Sequence, residues 1–253
     1  MLPLDLGGQD GPVPDAIFED PRLARVYDPL DPDRGDLDAY VAFIDEIGAT
    51  SVLDVGCGTG TLACLLAARG VTVVAVDPAR ASLDVARRKP HADLVQWIHG
   101  DAMTLPPLAV DVAFMTGNVA QVFLSDDEWL ATLRGIHGAL RPSGWLMFET
   151  RIPSERAWER WTPELTRTTV DVDDVGLVES WHELLDVDGD LVSFRSMTRF
   201  QRDDLLIQSR STLRFPEQRD LEASLAATGY DIEEVRDAPD RLGLEHVFVA
   251  TRR

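Results

Sequence analysis

The chain has 253 residues, of which 45% are hydrophobic, and its formal net charge at pH 7 is −20. This length suits one large domain or one domain with an insertion, and the negative charge argues against a nucleic-acid partner because it repels a phosphate backbone. No apolar stretch is long enough to cross a membrane, and residues 1–10 lack the basic and apolar regions of a secretory signal, so we expect a cytoplasmic protein with no membrane partner.

The N-terminal region divides into a tail, an amphipathic patch, a loop and a helix. Residues 1–15 are rich in Gly, Pro and Asp and predict a flexible tail. Residues 16–28 contain spaced apolar and aromatic side chains, and residues 28–35 contain two prolines and a glycine, which predicts a loop. Apolar positions at helical spacing then predict a helix over 37–47, with Asp36 as its N-cap.

The most informative segment is 51–60, which reads S-V-L-D-V-G-C-G-T-G. An apolar run leads directly into Gly56, Gly58 and Gly60, and a helical pattern over 61–69 follows. A strand, a glycine turn and a helix in this order open a nucleotide-binding βαβ unit. The carboxylate of Asp54 would repel a pyrophosphate, so the segment favours a cofactor with a positive charge there, such as an amino group or a sulfonium.

Two more acids follow predicted strands farther along the chain. The β-branched run 71–76 ends at Asp77 and Pro78, about twenty residues beyond the first glycine, where an acid can accept hydrogen bonds from ribose hydroxyls. This acid suits NAD equally well. A strand over 94–99, after a helix over 79–88, is followed by Gly100, Asp101 and Ala102.

The alternation of strands and helices continues to residue 149. We predict a strand over 110–115, a helix over 125–140 that begins at Ser125, a turn over 141–144 and a strand over 145–149. Strands that alternate with helices predict an α/β, Rossmann-like fold, with a mostly parallel sheet covered by helices on both faces.

The pattern changes after residue 150. A short helix over 153–161 and a final helix over 219–228 enclose four segments of alternating apolar residues, and two strands end the chain. The predicted strands are 168–172, 177–187, 191–202, 205–215, 230–236 and 246–251. We therefore divide the chain into a core with an N-terminal cap (16–150), an antiparallel β insertion (151–215) and the end of the core sheet (216–253).

The segment 54–60, together with Asp77 and Asp101, resembles the cofactor-binding motifs of the class I S-adenosylmethionine-dependent methyltransferase family. The insertion is similar to that of its small-molecule members. The resemblance implies a seven-stranded sheet closed by an antiparallel pair, with the inserted sheet as a lid over the site. It also implies transfer of a methyl group from S-adenosyl-L-methionine, with S-adenosyl-L-homocysteine as product, to a nitrogen or oxygen of a small-molecule acceptor.

The resemblance implies a cofactor site made of residues at the strand ends and of an N-terminal segment that folds over them. These residues are Asp54, Gly56, Cys57, Gly58, Gly60, Asp77, Pro78, Asp101, Ala102, Met103, Met115, Tyr27 and Arg34. Cys57 and Cys64 are the only cysteines and lie within one turn–helix unit, so we expect reduced thiols.

The acceptor side is less well defined by the sequence. Asn118 and Gln121 follow the fourth strand, but they equally suit a turn and a solvated helix. Arg151 could bind an acceptor carboxylate or phosphate, since a guanidinium matches such anions, or could pair with Glu149 or Glu155. Trp181 could line the acceptor pocket.

His182, on the inserted sheet, is the best-placed histidine for a general base, with a surface or hydrogen-bonded role as the alternative. No metal-ligand spacing occurs among the Cys, His and acidic residues.

Several alternatives stay open at this point. A NAD-dependent oxidoreductase has a similar sheet, and a non-catalytic protein could keep the same cofactor pocket. The inserted sheet could be a lid, a homodimer interface, or both. The segment 116–123 lacks the Asn- or Asp-Pro-Pro-aromatic run of enzymes that methylate DNA bases or protein glutamine, which lowers the expectation of those substrates.

Overall fold

A computed structural model describes residues 14–253, and residues 1–13 of the predicted tail lie outside it. The strands of this part are β1 (Ser51–Val55), β2 (Thr72–Asp77), β3 (Val95–His99), β4 (Val110–Met115), β5 (Leu140–Arg151), β6 (Thr168–Val172), β7 (Gly176–Asp188), β8 (Leu191–Phe200), β9 (Leu205–Arg214), β10 (Tyr230–Asp237) and β11 (Glu245–Arg252). Its α-helices are α1 (Ala16–Glu19), α2 (Pro21–Leu30), α3 (Asp38–Ile47), α4 (Thr61–Ala68), α5 (Arg80–Ala86), α6 (Asp126–Ala139), α7 (Pro163–Thr166) and α8 (Gln218–Ala227).

Seven strands form one mixed sheet in the order β10-β11-β5-β4-β1-β2-β3. The pairs β1–β2, β1–β4, β2–β3 and β4–β5 are parallel, whereas β11 is antiparallel to both β5 and β10. This confirms the predicted fold class, including the closing antiparallel pair. The strand order reverses between β1 and β4, and open α/β sheets bind ligands in the crevice at the carboxyl ends of the strands at such a point.

The core of the sheet explains why these segments fold as strands. The middle of β2 is fully apolar, and its side chains are buried on both faces, as expected for a parallel strand between helices. One apolar cluster contains Phe43, Leu66 and Phe114, and a second contains Leu133 and Phe148. Because the strands are buried on two faces, the positions of their ends are fixed. The positions of the residues that follow the strands are fixed as well.

The start of α6 agrees with the sequence prediction, whereas the start of α3 does not. Ser125 and Glu128 form a capping box at the start of α6, as predicted from the sequence. The prediction of Asp36 as the N-cap of the first long helix is wrong. A 3₁₀ turn over Gly35–Leu37 precedes α3, and the Asp36 carboxylate pairs with Arg34 instead of capping the helix.

Two predicted local structures between residues 141 and 161 are corrected by the structure. The predicted turn at 141–144 is a bulge inside β5, where the pairing with β4 passes from Val110–Leu140 to Val112–Trp145. The predicted helix at 153–161 is two 3₁₀ turns, because Arg156 has a φ of 45° and interrupts the helical hydrogen bonds.

The strands β6 to β9 form a separate antiparallel sheet between β5 and α8, which confirms the predicted insertion. Leu23 and Val26 of α2 pack against Val178 and Phe200 on one face of this sheet. We call that face the inner face, and we call α1 and α2 the cap. Within residues 14–253, no helix is long and apolar enough to cross a membrane.

Candidate functional site

Asp54 is the central residue of the candidate site. It lies on β1 at the point where the strand order reverses, and it is 1% exposed. Neither carboxylate oxygen has a hydrogen-bond partner among the described residues. Burial and the nearby Asp77 raise the pKa of Asp54 to about 7, while Arg34 opposes the shift. A buried carboxylate without donors is costly, so its position favours a ligand that brings a cation or N–H groups.

The glycine turn after β1 has two glycines that pack tightly and one that faces open space. A Cβ on Gly56 would lie 2.7 Å from Val119, and one on Gly60 would lie 2.4 Å from Trp97. Gly58 has a φ of 52°, and a Cβ there would meet no atom within 4 Å. The tight pair fixes the turn, and Gly58 leaves room for a ligand to approach the backbone.

Asp77 and Asp101 hold the loops after β2 and β3. Asp77 is buried and accepts hydrogen bonds from the backbone N–H groups of Gly58, at 2.8 Å, and Ala79, at 2.7 Å. Burial raises the pKa of Asp77, and these two hydrogen bonds oppose the shift. Asp101 accepts from the N–H groups of Met103 and Thr104. Both acids therefore lie at the carboxyl edge of the sheet and order the backbone around them.

The remaining predicted cofactor residues of the core differ in exposure. Ala102 and Met115 are buried in the apolar core, so only their backbone could face a ligand, whereas Met103 is exposed. Cys57 is buried, and burial raises the pKa of its thiol. The carbonyl oxygen of Pro78 lies 2.9 Å from the Nε2 atom of His99.

The cap closes over the glycine turn through charged side chains. Asp28 of α2 accepts a hydrogen bond of 2.6 Å from the Thr59 hydroxyl and forms an ion pair of 2.7 Å with Lys89. Lys89 also donates to the Thr61 hydroxyl at 2.6 Å. We call Asp28, Thr59, Thr61 and Lys89 the clasp. It ties the cap directly to the loop that contains Gly58.

Tyr27 precedes Asp28 of the clasp in α2, and Arg34 lies near its phenol. Burial raises the pKa of the Tyr27 phenol, and the positive charges of Arg34 and Arg151 oppose this shift. Arg34 donates to both oxygens of Asp36 at 3.1 Å, so its Nε and Nη2 atoms already have partners. Fewer N–H groups of Arg34 are therefore left to bind the carboxylate of a cofactor.

Two buried glutamates that the sequence analysis did not assign to the site hold the loop after β4. Glu149 accepts from the Tyr40 hydroxyl at 2.6 Å and from the Gly117 N–H at 2.7 Å. Glu245 accepts from the Asn118 amide at 3.1 Å. A charged residue at the end of the apolar run 145–148 was the available signal for Glu149, whereas the role of Glu245 depends on strand pairing.

Asn118 and Gln121 are fixed by contacts within the protein. Asn118 has a φ of 61°, which suits a turn, and its buried Oδ1 atom has no partner among the described residues. Gln121 is buried, donates to the carbonyl of Arg214 at 2.9 Å and accepts from Arg151 at 2.9 Å. It therefore does not begin a solvated helix. The predicted acceptor role of both residues stays a prediction.

Arg151 is the last residue of β5 and does not form the ion pair expected as its alternative role. Its nearest carboxylate belongs to Glu245, at 3.7 Å, rather than to Glu149 or Glu155. The same Glu245 carboxylate lies 2.8 Å from Arg241. The carboxylate therefore hydrogen-bonds to Arg241, while Arg151 keeps only a longer charge contact.

His182 and Trp181 lie on opposite faces of the inserted sheet. The Nδ1 atom of His182 lies 2.9 Å from the Ser196 hydroxyl, on the inner face. Burial, and then the charge of Arg151, lower the pKa of His182. Trp181 bonds to Glu183 and lies under Arg167 on the outer face. Because adjacent strand residues point to opposite faces, Trp181 does not share the inner face with His182, and its acceptor role stays a prediction.

Comparisons with known proteins agree with this architecture. Residues 52–144 match a family model described as a methyltransferase domain. The cypemycin N-terminal methyltransferase of Streptomyces sp is 36% identical over 127 residues, which is 50% of this chain and 51% of that protein. The malonyl-[acyl-carrier protein] O-methyltransferase of Serratia marcescens is 35% identical over 101 residues, 39% of this chain and 37% of that protein. The chain thus matches about half or less of the length of these curated relatives.

Solved structures extend the likeness of the fold to the inserted sheet. The sugar N-methyltransferase KedS8 from Streptoalloteichus sp ATCC 53650 has a TM-score of 0.72 at 19% identity, and covers 100% of this chain and 99% of its own. DesVI of Streptomyces venezuelae has a TM-score of 0.73 at 19% identity, over 91% of this chain and 98% of its own. At these identities the likeness shows the fold. Residues 52–144 are thus similar to methyltransferase domains in sequence, and the chain has a fold that methyltransferases of known structure share.

Proposed function

We propose that the protein transfers a methyl group from S-adenosyl-L-methionine to a nitrogen or oxygen of a small-molecule acceptor. The observation that carries the proposal is Asp54, whose two buried oxygens have no partner among residues 14–253. A cofactor with an ammonium group supplies the missing donors, whereas the pyrophosphate of NAD would bring negative charge toward the carboxylate.

The residues at the strand ends support this fit to the cofactor. Asp54 would bind the ammonium group, Asp77 the ribose hydroxyls and Asp101 the adenine, and the open space at Gly58 would let the backbone approach the ligand. Asp77 retains acceptor capacity beyond its two backbone hydrogen bonds, because each carboxylate oxygen has two lone pairs. When bound, S-adenosylmethionine supplies an electrophilic methyl group on a sulfonium.

The enclosure of the site supports a small acceptor. The cap covers the glycine turn through the clasp, and α2 also packs on the inner face of the inserted sheet. This leaves the acceptor region between the carboxyl ends of β4 and β5 and the inner face. A net charge of −20 also disfavours a nucleic-acid acceptor.

His182 is the residue that would accept a proton from the acceptor. If its Nδ1–H donates to the Ser196 hydroxyl, Nε2 is left as the proton acceptor, and the lowered pKa keeps the ring neutral at pH 7. The protein's contribution is then to bind both partners, exclude water and hold the proton acceptor.

Calorimetry with S-adenosylmethionine, S-adenosylhomocysteine and NAD tests the cofactor. We expect both sulfur compounds to bind and NAD not to bind. NAD binding without S-adenosylmethionine binding would favour the oxidoreductase alternative and end the proposal. Incubation with methyl-labelled donor and a panel of amines, hydroxylated compounds and carboxylic acids then tests transfer, and label in an acceptor excludes a purely binding protein.

A further inference from the structure

Strand register places Arg151 on the same side of the sheet as Asp54. Asp54 is the register partner of Phe114, and Phe114 is the partner of Met147. Register partners in a parallel sheet point to the same face, and side chains along β5 repeat with a period of two, so Met147, Glu149 and Arg151 share that face. Arg151 therefore lies over the crevice on the side that Asp54 faces.

Its position in the crevice suits the acceptor rather than the cofactor. Arg151 is two strands from Asp54, about 10 Å sideways, and four residues farther along its strand, about 13 Å beyond the level of Asp54. Asp77 and Asp101 lie on the other side of Asp54, after β2 and β3. A cofactor that reaches from Asp101 to Asp54 leaves the β4 and β5 side free.

The Arg151 guanidinium lacks a close anionic partner within residues 14–253. Its Nη1 atom donates to Gln121 at 2.9 Å, and the nearest carboxylate oxygen is 3.7 Å from Nε. A guanidinium has five N–H donors in a planar fork and stays charged, and here 23% of the side chain is still exposed. A partly buried, charged fork with free donors matches an oxyanion.

The side chains around Arg151 form an apolar wall and bring His182 to the same region. The guanidinium lies 5.9 Å from the Trp161 ring, Trp161 lies 4.5 Å from Phe194, and Phe194 lies 5.7 Å from His182. The acidic groups near Arg151 are engaged elsewhere: Glu149 by Tyr40 and Gly117, and Glu245 by Asn118 and Arg241. An anion can therefore approach Arg151 along the rings.

We propose that the acceptor carries an oxyanion, a carboxylate or a phosphate ester, which Arg151 binds while Trp161 and Phe194 form the wall beside it. This inference rests on the proposed function. It names the acceptor class of the same site, and it makes Arg151 a residue that determines specificity. His182 then lies on the same wall, where it can accept a proton from the nucleophile.

The test uses the full chain loaded with S-adenosylhomocysteine and two ring compounds of the same shape, benzoate and benzamide. We expect benzoate to bind at least about tenfold more tightly, measured by calorimetry or ligand-observed NMR, because only benzoate offers Arg151 a charged pair. Arg151→Gln should remove the preference, and Arg151→Lys should restore part of it. The matched control is Arg199→Gln, a guanidinium on the outer face, which should change nothing.

Equal binding of the two compounds, or binding of neither, would overturn the inference. The inference would also be overturned if Arg151→Gln still bound benzoate more tightly than benzamide. If Arg151→Gln weakens binding of S-adenosylhomocysteine, Arg151 holds the cofactor and the inference also fails. Tighter binding of phenyl phosphate than of benzoate supports the oxyanion and assigns it to a phosphate ester. Failure of the proposed function is distinguishable, because the wild-type protein would then not bind S-adenosylmethionine.

Discussion

At the scale of single residues, the candidate site depends on charged groups that are buried or partly buried without full compensation. Asp54 has no hydrogen-bond partner among the described residues, and Arg151 has no close carboxylate. A folded protein retains such groups only at a cost in stability, and they concentrate at functional sites. This cost is the physical reason to assign both groups to ligands.

Asp54→Asn should abolish the pH dependence of cofactor binding. The pKa of Asp54 is raised to about 7 in the free protein, so below pH 7 the carboxylate must lose a proton before it can bind an ammonium group. The affinity of the wild-type protein for S-adenosylhomocysteine should therefore fall by up to about tenfold for each pH unit below 7 and level off above it. Calorimetry from pH 5 to pH 9 measures this.

The matched control for that experiment is Asp45→Asn, which changes an exposed carboxylate paired with Arg69 on the surface. It should keep both the wild-type affinity and the wild-type pH dependence. Wild-type binding that does not vary with pH would contradict the assignment of Asp54 to the ammonium group. We also expect Asp54→Asn to bind S-adenosylhomocysteine more weakly than the wild type at pH 8, because the neutral amide cannot form a charged pair.

His182 should titrate below its ordinary value of 6.5, since burial and the nearby charge of Arg151 both disfavour the imidazolium. Its ring is then neutral above that pKa and becomes charged as the pH falls through it. Side-chain NMR of the histidines, with His182→Gln to assign the resonance, measures the pKa directly. Arg151→Gln should raise the pKa toward 6.5, whereas Arg199→Gln should not, and a His182 pKa above 6.5 in the wild type contradicts the expectation.

At the scale of elements, the cap contacts two neighbours. It contacts the inserted sheet through apolar packing of Leu23 and Val26 and through the Arg22–Asp203 ion pair, and it contacts the glycine turn through the clasp. Asp54 is 1% exposed in the described conformation, and the clasp ties the cap to the neighbouring glycine turn. We therefore expect the cap to move when a cofactor enters, since polar contacts between partly exposed groups separate at lower cost than an apolar core.

Lys89→Met should speed release of S-adenosylhomocysteine. It removes the ion pair with Asp28 and the hydrogen bond to Thr61, which together should contribute about 1 kcal/mol after allowance for partial exposure, or a release rate about fivefold faster. Stopped-flow displacement measures the rate. Arg22→Gln is the control and should leave the release rate unchanged. It removes an ion pair between the cap and Asp203 of the inserted sheet and leaves the clasp intact. An unchanged release rate in Lys89→Met would show that the clasp does not hold the cap.

At the scale of the whole molecule, the inserted sheet has two different faces. The inner face packs on the cap and contains buried hydroxyl side chains, including Ser180, Ser196 and Ser209. The outer face contains ion pairs such as Arg195–Glu183 and Arg167–Glu179, together with exposed apolar side chains such as Leu206. The inner face is therefore already used by the chain itself, and of the two faces only the outer one is left for a second copy.

A homodimer through the inserted sheet stays a prediction. The difference between the two faces makes the prediction specific, because it assigns the interface to the outer face. Sedimentation velocity should give the mass of a dimer for the wild type, and Leu206→Glu should give the 28.0 kDa monomer, because a charge would be buried at the interface. Leu94→Glu, an exposed leucine in the turn before β3, is the matched control and should stay dimeric. A monomeric wild type would contradict the prediction.

The fold class and the order of the elements could be predicted from local patterns in the chain. Local patterns carry that information: Val73 to Val76 read as a buried strand, Ser125 and Glu128 as a capping box, and the glycines after Asp54 as a turn. Each of these signals depends on neighbours in the chain, so spacing is sufficient to detect it.

Local patterns did not reveal which side chains come together in the site, because that depends on the folded chain. The face of Trp181, the pairing of Asp36 with Arg34, the clasp and the roles of Glu149 and Glu245 all depend on strand register and on packing between distant segments. Lys89 lies 61 positions after Asp28 in the sequence but 2.7 Å from it in space. Such contacts form when segments far apart in the sequence pack together, and local spacing does not encode that packing. The site could therefore be identified only in the folded chain.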